Sequence, residues 1–433
     1  MKLKNTLAFL FAGMMAISMT ACGAQVGAVD SVETGVNNDA LATNVTLVTD
    51  KATNISNGKQ KANEVKNTEN EVEIISEENS PIILTEVTQA KNIIMMIGDG
   101  MGPQQIKAGE LYKGEALAMQ GFPYKTTVET RSASDKITDS AASATALATG
   151  KRTTNGMVGK DQNYLNMETI VDIASAMGKS TGIIATEELY GATPMGFSSH
   201  AYNRNDTQCL LETAATTSNV NFFASYTMTS EYQAIFTNAG YTSVAVDDIS
   251  ESTSDKVFGS YMIRADAPSM SASTNRVALN RVVYEALEYL SKDEDGFFLM
   301  TEGSHIDHGG HNNDMSYMLS ELLAFDDAVQ TVLEWAEGRD DTVVLVAADH
   351  ETGGLELKES AYTALNFMET VSNDGGMTYV PKHYAWTTAS HSATDVNLYI
   401  NGANIDFRNY SFGVDGRIKN TDVFKIMKQL LQG

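Results

Sequence analysis

The chain has 433 residues, 42% of them hydrophobic, which is enough apolar material to bury a core much larger than that of a small module. Its formal net charge of −25 argues against nucleic acid as a partner. The same charge means that an anionic substrate gains nothing from the overall field. A phosphate or sulfate site would therefore have to be made positive locally, as bound metal ions would do.

The N-terminus has the pattern of a secretory signal over residues 1–21. Lys2 and Lys4 form a basic start, and the apolar stretch 7–19 that follows is too short to span a bilayer. The stretch ends at Met19-Thr20-Ala21-Cys22, which resembles a bacterial lipobox and implies lipidation of Cys22. Plain cleavage nearby is the alternative. The first case predicts an exported lipoprotein on the outer side of the cell membrane, and the second a secreted or periplasmic protein.

Residues 22–85 are predicted to form a flexible tether. The segment is rich in Asn, Thr, Ser and Glu, has no aromatic residue and shows no sustained apolar period. Such a composition cannot bury a core, which disfavours a degraded extra domain. The tether would hold one folded domain, residues 86–433, away from a membrane surface.

In that domain, apolar runs alternate with helical patterns. The alternation predicts an α/β fold, a three-layer sandwich with a large, mostly parallel central sheet covered by helices on both faces. The segment 224–264 has no clear pattern and is a candidate cap insertion. The predicted strands are 92–97, 180–186, 296–301 and 342–348, and the clearest predicted helices are 275–290 and 315–337.

Acidic residues follow three of these predicted strands. Asp99 comes after the first strand, Glu302 after the third and Asp349 after the fourth, where it is followed by His350. Ligands of open α/β sheets bind beyond the carboxyl ends of the strands, so these side chains should converge. A single aspartate at such a point is usually a turn or cap residue. Three acids at one sheet edge would repel one another unless cations lay between them.

Three of the seven histidines fall in the short segment 302–311. His305, His308 and His311 lie there together with Glu302 and Asp307. Imidazole and carboxylate groups are ligands that suit zinc. The alternative is a polar loop that happens to contain histidines.

Residues 139–150 read as the start of a helix made of small residues. Asp139 occupies the N-cap position and Ser140 the first turn, where free amides and the helix dipole favour an anion. Ser140 is either a nucleophile or only part of the cap. A serine nucleophile needs a base or a metal. The Gly-x-Ser-x-Gly elbow of many serine hydrolases is absent around Ser140, which favours a metal.

The segment Asp139-Ser140-Ala141-Ala142-Ser143-Ala144-Thr145 closely resembles the nucleophile motif of alkaline phosphatases. Further motifs of that family occur in the same order, and the resemblance extends over about residues 90–430. They are Ile97-Gly98-Asp99-Gly100-Met101-Gly102, Ala192-Thr193-Pro194, Glu302-Gly303-Ser304-His305-Ile306-Asp307, Asp349-His350-Glu351-Thr352-Gly353-Gly354 and a late His391.

The resemblance implies roles for individual residues. Ser140 would be the phosphorylated nucleophile, and Arg204 would clamp two phosphate oxygens. His308 stands where some family members carry Lys and others His, and would face the substrate. The family binds two zinc ions and one magnesium ion. The ligands would be Asp99, Asp349 and His350 for the first zinc, Asp307, His311 and His391 for the second, and Asp99, Thr193 and Glu302 for magnesium.

Gly191 departs from the family pattern. Many members carry Asp or His two residues before the threonine of the magnesium site, where the side chain supports magnesium through its waters. We therefore expect weaker magnesium retention or a different ion. His200, His305 and His383 match no ligand position.

The sequence thus predicts a hydrolase of small phosphate monoesters that acts through a phosphoserine and releases phosphate at the cell surface. The alternatives are a related metalloenzyme acting on phosphodiesters, sulfates or phosphonates, and a non-enzymatic phosphate-binding protein. Ser140 is followed by Ala-Ala-Ser rather than by a sulfatase-type Pro-x-Arg, and many diesterases use threonine instead, so the monoesterase is favoured. The family is commonly dimeric, but its short bacterial members vary.

Overall fold

The computed structural model describes residues 89–265, 276–358, 383–402 and 416–433, together with the backbone of strands at 368–373 and 376–381. The predicted signal peptide, the lipidation site Cys22 and the tether lie outside the described residues. Among the described helices, none is both long and apolar enough to cross a membrane.

Within the described residues, the strands divide into one large sheet and three small two-stranded sheets. The strands are β1 (Asn92–Gly98), β2 (Tyr124–Glu129), β3 (Ser180–Ala185), β4 (Phe222–Tyr226), β5 (Thr242–Ser243), β6 (Val257–Ile263), β7 (Arg276–Val277), β8 (Phe297–Gly303), β9 (Thr342–Ala347), β10 (Glu351–Thr352), β11 (Leu355–Leu357), β12 (Met368–Asn373), β13 (Gly376–Pro381), β14 (Tyr384–Trp386), β15 (His391–Ser392), β16 (Val396–Gly402) and β17 (Arg417–Lys419).

The helices connect the strands of the large sheet. They are α1 (Pro103–Lys113), α2 (Ser140–Thr149), α3 (Ile170–Ala176), α4 (Ala192–Ser198), α5 (Thr207–Thr217), α6 (Ser230–Asn238), α7 (Leu279–Leu290), α8 (His305–His311), α9 (Met315–Ala336) and α10 (Asn420–Gln432), with single 3-10 turns at Ala118–Gly121 and Val246–Asp248.

The large sheet has the strand order β17-β2-β16-β9-β1-β8-β3-β4-β6-β5, with β7 beside β6. The strands from β9 to β6 run parallel, and β16 is antiparallel to both of its neighbours. Helices α7 and α9 pack on the central strands as one group, and α2, α3, α4 and α10 as another. The predicted α/β sandwich with a mostly parallel sheet is therefore confirmed.

The central strands are apolar because helices cover both of their faces. Every residue of β1, β8 and β9 is buried. The four predicted strands correspond to β1, β3, β8 and β9. The two predicted helices correspond to α7, which begins later than predicted at Leu279, and to α9.

The segment 224–264 is not a cap, and that prediction was wrong. It contains the end of β4, helix α6 and strands β5 and β6, which continue the large sheet toward one edge. Phe236 of α6 stacks on Phe258 of β6 with ring centroids 4.8 Å apart, and both rings are fully buried. The segment lacks a clear strand pattern because its strands are short or lie near the sheet edge.

Candidate active site

Three adjacent parallel strands end at one point of the sheet. Strand β1 lies between β8 and β9, and Met96 is paired with Thr301 on one side and with Val346 on the other. Because the strands are in register, the acids at their carboxyl ends leave the sheet together. These acids are Asp99, Glu302 and Asp349, and all three are buried.

Helix α2 brings Ser140 to this edge. Asp139 caps the helix, since its Oδ1 accepts a hydrogen bond from the Ala142 amide at 3.0 Å. The Ser143 hydroxyl donates to the carbonyl of Asp349 at 2.7 Å, which fixes the helix to the end of β9. The buried Ser140 Oγ then lies 3.1 Å from His350 Nε2.

A first group of side chains surrounds His350, and its geometry differs from that of a catalytic triad. Its Nε2 lies 3.0 Å from Asp349, 3.5 Å from Asp99 and 3.1 Å from Ser140. In a Ser-His-Asp triad the serine and the acid face opposite ring nitrogens. Here the serine and both acids face the same nitrogen, while Nδ1 faces the Thr352 hydroxyl at 3.2 Å. This arrangement fits a metal ion beside Nε2 and its oxygen neighbours better than it fits a proton relay.

A second group consists of Asp307, His311 and His391. The two Nε2 atoms are 3.2 Å apart, and His311 Nε2 is 3.3 Å from Asp307. Each Nδ1 lies 2.8 Å from a backbone carbonyl, that of Ala389 for His311 and that of Thr138 for His391. A carbonyl only accepts hydrogen bonds, so Nδ1 carries the proton and both Nε2 lone pairs face each other. A divalent cation between these lone pairs would remove the repulsion.

A third group surrounds the carboxylate of Glu302. Neither of its oxygens makes a hydrogen bond of good geometry within the described part of the chain, although the hydroxyls of Ser304 and Thr193 lie near it, and one oxygen of Asp99 also lacks a partner there. The Thr193 hydroxyl donates to Asp99 at 3.5 Å. Burial, together with neighbouring acids, raises the pKa of Asp99 and of Glu302 well above the usual values. Buried carboxylates without partners are costly, so these residues also fit a bound cation.

Arg204 is positioned by the residue that caps α2. Its guanidinium lies 3.2 Å from Asp139 Oδ2, which also accepts a hydrogen bond from the Gly156 amide. The Arg204 amide donates to the Gly156 carbonyl at 2.8 Å. One third of the Arg204 side chain is exposed, so the guanidinium remains available to a ligand. The sequence predicts only the helix-capping role of Asp139 and not its contact with Arg204.

Of the remaining predicted or considered residues, His308 lies on α8 with its Nε2 3.7 Å from Glu187, and its ring is half exposed. His305 packs against His308 with ring centroids 4.9 Å apart. His200 Nε2 lies 2.9 Å from the Met167 carbonyl, outside the acidic groups.

The sequence-based reasoning missed two residues of the site. The Thr352 hydroxyl donates to the carboxylate of Asp307 and also lies beside His350, so it touches two of the three groups. Its position in the Asp349–Gly354 motif was the available signal. Glu187 lies near His308 and Arg204, and no motif marks it.

Because Ser140 lies at a helix N-terminus and faces donor groups that suit divalent cations, the site fits a metal-dependent hydrolase built on an α/β sheet. The alkaline phosphatase family model matches residues 90–236 and 270–385. The chain therefore belongs to the alkaline phosphatase family, and it is a metal-binding phosphoesterase of that superfamily.

Individual relatives agree with this assignment. Alkaline phosphatase 4 of Bacillus subtilis is 30% identical over 294 residues, which span 62% of this chain and 63% of the relative. Alkaline phosphatase 3 of the same organism is 26% identical over 79% of this chain and 89% of its own length. The structure of alkaline phosphatase from the Antarctic bacterium TAB5 is 27% identical, with a TM-score of 0.66 over 80% of this chain and 99% of that one.

Proposed function

We propose that the protein hydrolyses phosphate monoesters through a phosphoserine formed on Ser140. The observation that carries the proposal is the position of Ser140 Oγ. It lies in the first turn of α2, 3.1 Å from His350 Nε2, where buried carboxylates and imidazoles converge. A helix N-terminus favours the anionic phosphate next to this hydroxyl.

The donor atoms favour two zinc ions and one magnesium ion. Imidazole with carboxylate suits zinc, whereas a hydroxyl with carboxylates suits magnesium. A mutant of the TAB5 enzyme is described with Mg bound in its M3 site. When bound, such ions would lower the pKa of the serine hydroxyl and offset charge on the phosphate oxygens. The residues that would hold them are Asp99, Asp349 and His350 for one zinc, Asp307, His311 and His391 for the other, and Asp99, Thr193 and Glu302 for magnesium.

The reaction has two steps. Ser140 Oγ attacks phosphorus, the bond from phosphorus to the alcohol oxygen breaks, and the alcohol leaves with a proton. Water then attacks the phosphorus of the phosphoserine, the bond from phosphorus to Ser140 Oγ breaks, inorganic phosphate leaves, and Ser140 Oγ takes up a proton from the water. Through both steps the guanidinium of Arg204 would donate two parallel hydrogen bonds to phosphate oxygens while Asp139 fixes its orientation.

The nucleophile is tested by substitution. Ser140→Ala should abolish hydrolysis of an aryl phosphate and the trapping of a phosphoenzyme at low pH, because no other group would accept the phosphoryl group. Ser320→Ala, at an exposed position on α9, is the matched control and should retain both. A phosphoenzyme that still forms in the Ser140→Ala variant would point to another nucleophile.

Substrate class is tested by comparing initial rates on an aryl phosphate monoester, the corresponding diester and the aryl sulfate. We expect the monoester to be fastest. A faster diester or sulfate would favour the related metalloenzymes instead.

A zinc chelator should abolish the activity, and persistence of activity would contradict the metal assignment.

The N-terminal sequence supports a proposal about location. We infer that the protein is exported, lipidated on Cys22 and held at the outer side of the cell membrane, where it releases phosphate. The basic start, the short apolar stretch and the small residues before Cys22 support this. Labelled fatty acid should be incorporated into the wild type and not into Cys22→Ala, which should appear in the medium or periplasm instead.

A further inference from the structure

The space beside the Gly191 backbone is filled by the side chain of Glu187. Gly191 is the N-cap of α4, two residues before Thr193. A Cβ atom placed on Gly191 would lie 1.9 Å from Glu187 Oε1 and 2.7 Å from Glu187 Cδ. The carboxylate of Glu187 therefore fills the space into which a side chain at position 191 would extend.

The backbone of Glu187 is fixed in this place. The residue follows β3, the neighbour of β8, so it leaves the same sheet edge as Glu302. Its amide donates to the Ser304 hydroxyl at 3.4 Å, and its carbonyl accepts a hydrogen bond from the Tyr226 amide at 2.9 Å. Its side chain is only 20% exposed, and its Oε2 lies 3.7 Å from His308 Nε2.

Backbone contacts place Glu187 beside the third group. Ala185, at the end of β3, is paired with Glu302 of β8, and the Thr186 amide donates to the Glu302 carbonyl at 3.2 Å. Glu187 therefore leaves β3 next to the point where Glu302 leaves β8. Since neither carboxylate oxygen of Glu302 makes a hydrogen bond of good geometry with the described residues, a divalent cation is the group that would balance these carboxylates.

We propose that Glu187 supplies the carboxylate that Gly191 lacks and positions magnesium beside Asp99, Thr193 and Glu302. The inference rests on the function proposed above and deepens it. Glu187 is a positioning residue, acting on the ion or on its waters. A larger residue at position 191 would have to displace the Glu187 carboxylate from this space. This replaces the expectation of weak magnesium retention with retention that depends on a side chain four positions earlier in the chain.

The first experiment measures magnesium binding to the zinc-loaded, full-length protein by calorimetry. Glu187→Gln, which keeps the shape of the side chain, should raise the magnesium dissociation constant about 10-fold or more, in the range seen when outer-shell partners of metals are removed. Zinc content should stay unchanged. Glu188→Gln removes the neighbouring carboxylate and is the matched control, expected to bind magnesium as the wild type does. Wild-type magnesium affinity in Glu187→Gln would overturn the proposal.

The second experiment exchanges the two positions. Gly191→Asp alone should bind magnesium more weakly, because its side chain competes for space with Glu187. The double variant Glu187→Ala/Gly191→Asp should recover most of the affinity lost in Glu187→Ala, since a carboxylate then reaches the same space from position 191. A double variant that binds no better than Glu187→Ala would contradict the proposal. Circular dichroism establishes that each variant is folded.

The two proposals fail separately. A wild type that binds magnesium in a Glu187-dependent manner but hydrolyses no phosphate monoester would contradict the proposed function alone. An active enzyme whose magnesium affinity is insensitive to Glu187→Gln would contradict this inference alone.

Discussion

At the scale of single residues, two polar side chains each hold two parts of the site. Asp139 caps α2 with one carboxylate oxygen and holds Arg204 with the other. The Thr352 hydroxyl lies between the carboxylate of Asp307 and the ring of His350. Substitutions that remove one function and keep the other can therefore separate structure from activity.

Asp139→Asn should affect phosphate binding more than stability. Asparagine caps a helix about as well as aspartate, so the free energy of unfolding should change by less than about 0.5 kcal/mol. The neutral amide holds the Arg204 guanidinium more weakly than a carboxylate does, so the inhibition constant of inorganic phosphate should rise about 3- to 10-fold. Asp139→Ala should in addition lose about 1 kcal/mol of stability. Phosphate inhibition and urea denaturation measure the two effects, and equal stability losses in both variants would contradict the argument.

Thr352→Val should weaken zinc binding. Valine keeps the shape of threonine but leaves Asp307 without its hydroxyl donor and the Nδ1 of His350 without its neighbour. Loss of such a partner typically costs about 10- to 100-fold in metal affinity. Competition with a zinc chelator measures the change. Thr216→Val, at an exposed position of α5, is the control, and an equal loss of zinc in that variant would show that the effect is not local.

At the scale of elements, two helices set the distance between parts of the site. Helix α2 carries Ser140 and helix α4 carries Thr193, and the two pack closely against each other. Gly196 makes this approach feasible, since a Cβ atom there would lie 2.7 Å from the Cβ of Ala144 and 3.1 Å from the Thr145 amide.

Gly196→Ala should therefore lower both stability and activity. The added methyl group would meet backbone atoms of α2, and overpacking of this kind costs about 1–3 kcal/mol. Separation of the helices would also move Ser140 away from the strand ends. Gly121→Ala is the control, because a Cβ atom at Gly121 meets nothing within 4 Å. Urea denaturation and hydrolysis rates measure the effect, and an unchanged Gly196→Ala variant would show that the helices can separate freely.

The elements also show what a sequence can predict. The acids Asp99, Glu302 and Asp349 could be placed at one edge because they follow buried apolar runs, and parallel strands end on the same side. The helix start at Asp139 had a clear cap. Glu187 could not be found in this way, because its role depends on the empty space at Gly191, which only the packing of β3 against α4 defines.

At the scale of the whole molecule, the negative charge is not only a surface property. The net charge is −25, and several acids of the site are buried beside one another. Metal ions that bind only the folded state would stabilise it by mass action. The stability of the protein should therefore depend on its metal ions, and in their absence on pH.

Metal-free protein should become less stable as pH rises above about 6.5. Burial raises the pKa of Glu187 to about 7 and that of Asp99 and Glu302 well above the usual range, so the folded state holds protons that the unfolded state has already lost. Stability then falls by up to about 1.4 kcal/mol per pH unit for each such group as pH rises from its unfolded-state pKa to its folded-state pKa, and levels off above the latter. His391 opposes this only at lower pH, since burial lowers its pKa to about 4 and it is neutral in both states above about 6.5.

We expect the midpoint of thermal unfolding of chelated protein to be lower at pH 9 than at pH 6.5. With zinc and magnesium restored, the difference should largely disappear, because the bound cations offset the ionised carboxylates. An equal pH dependence with and without metal would contradict the assignment of these acids to cation sites.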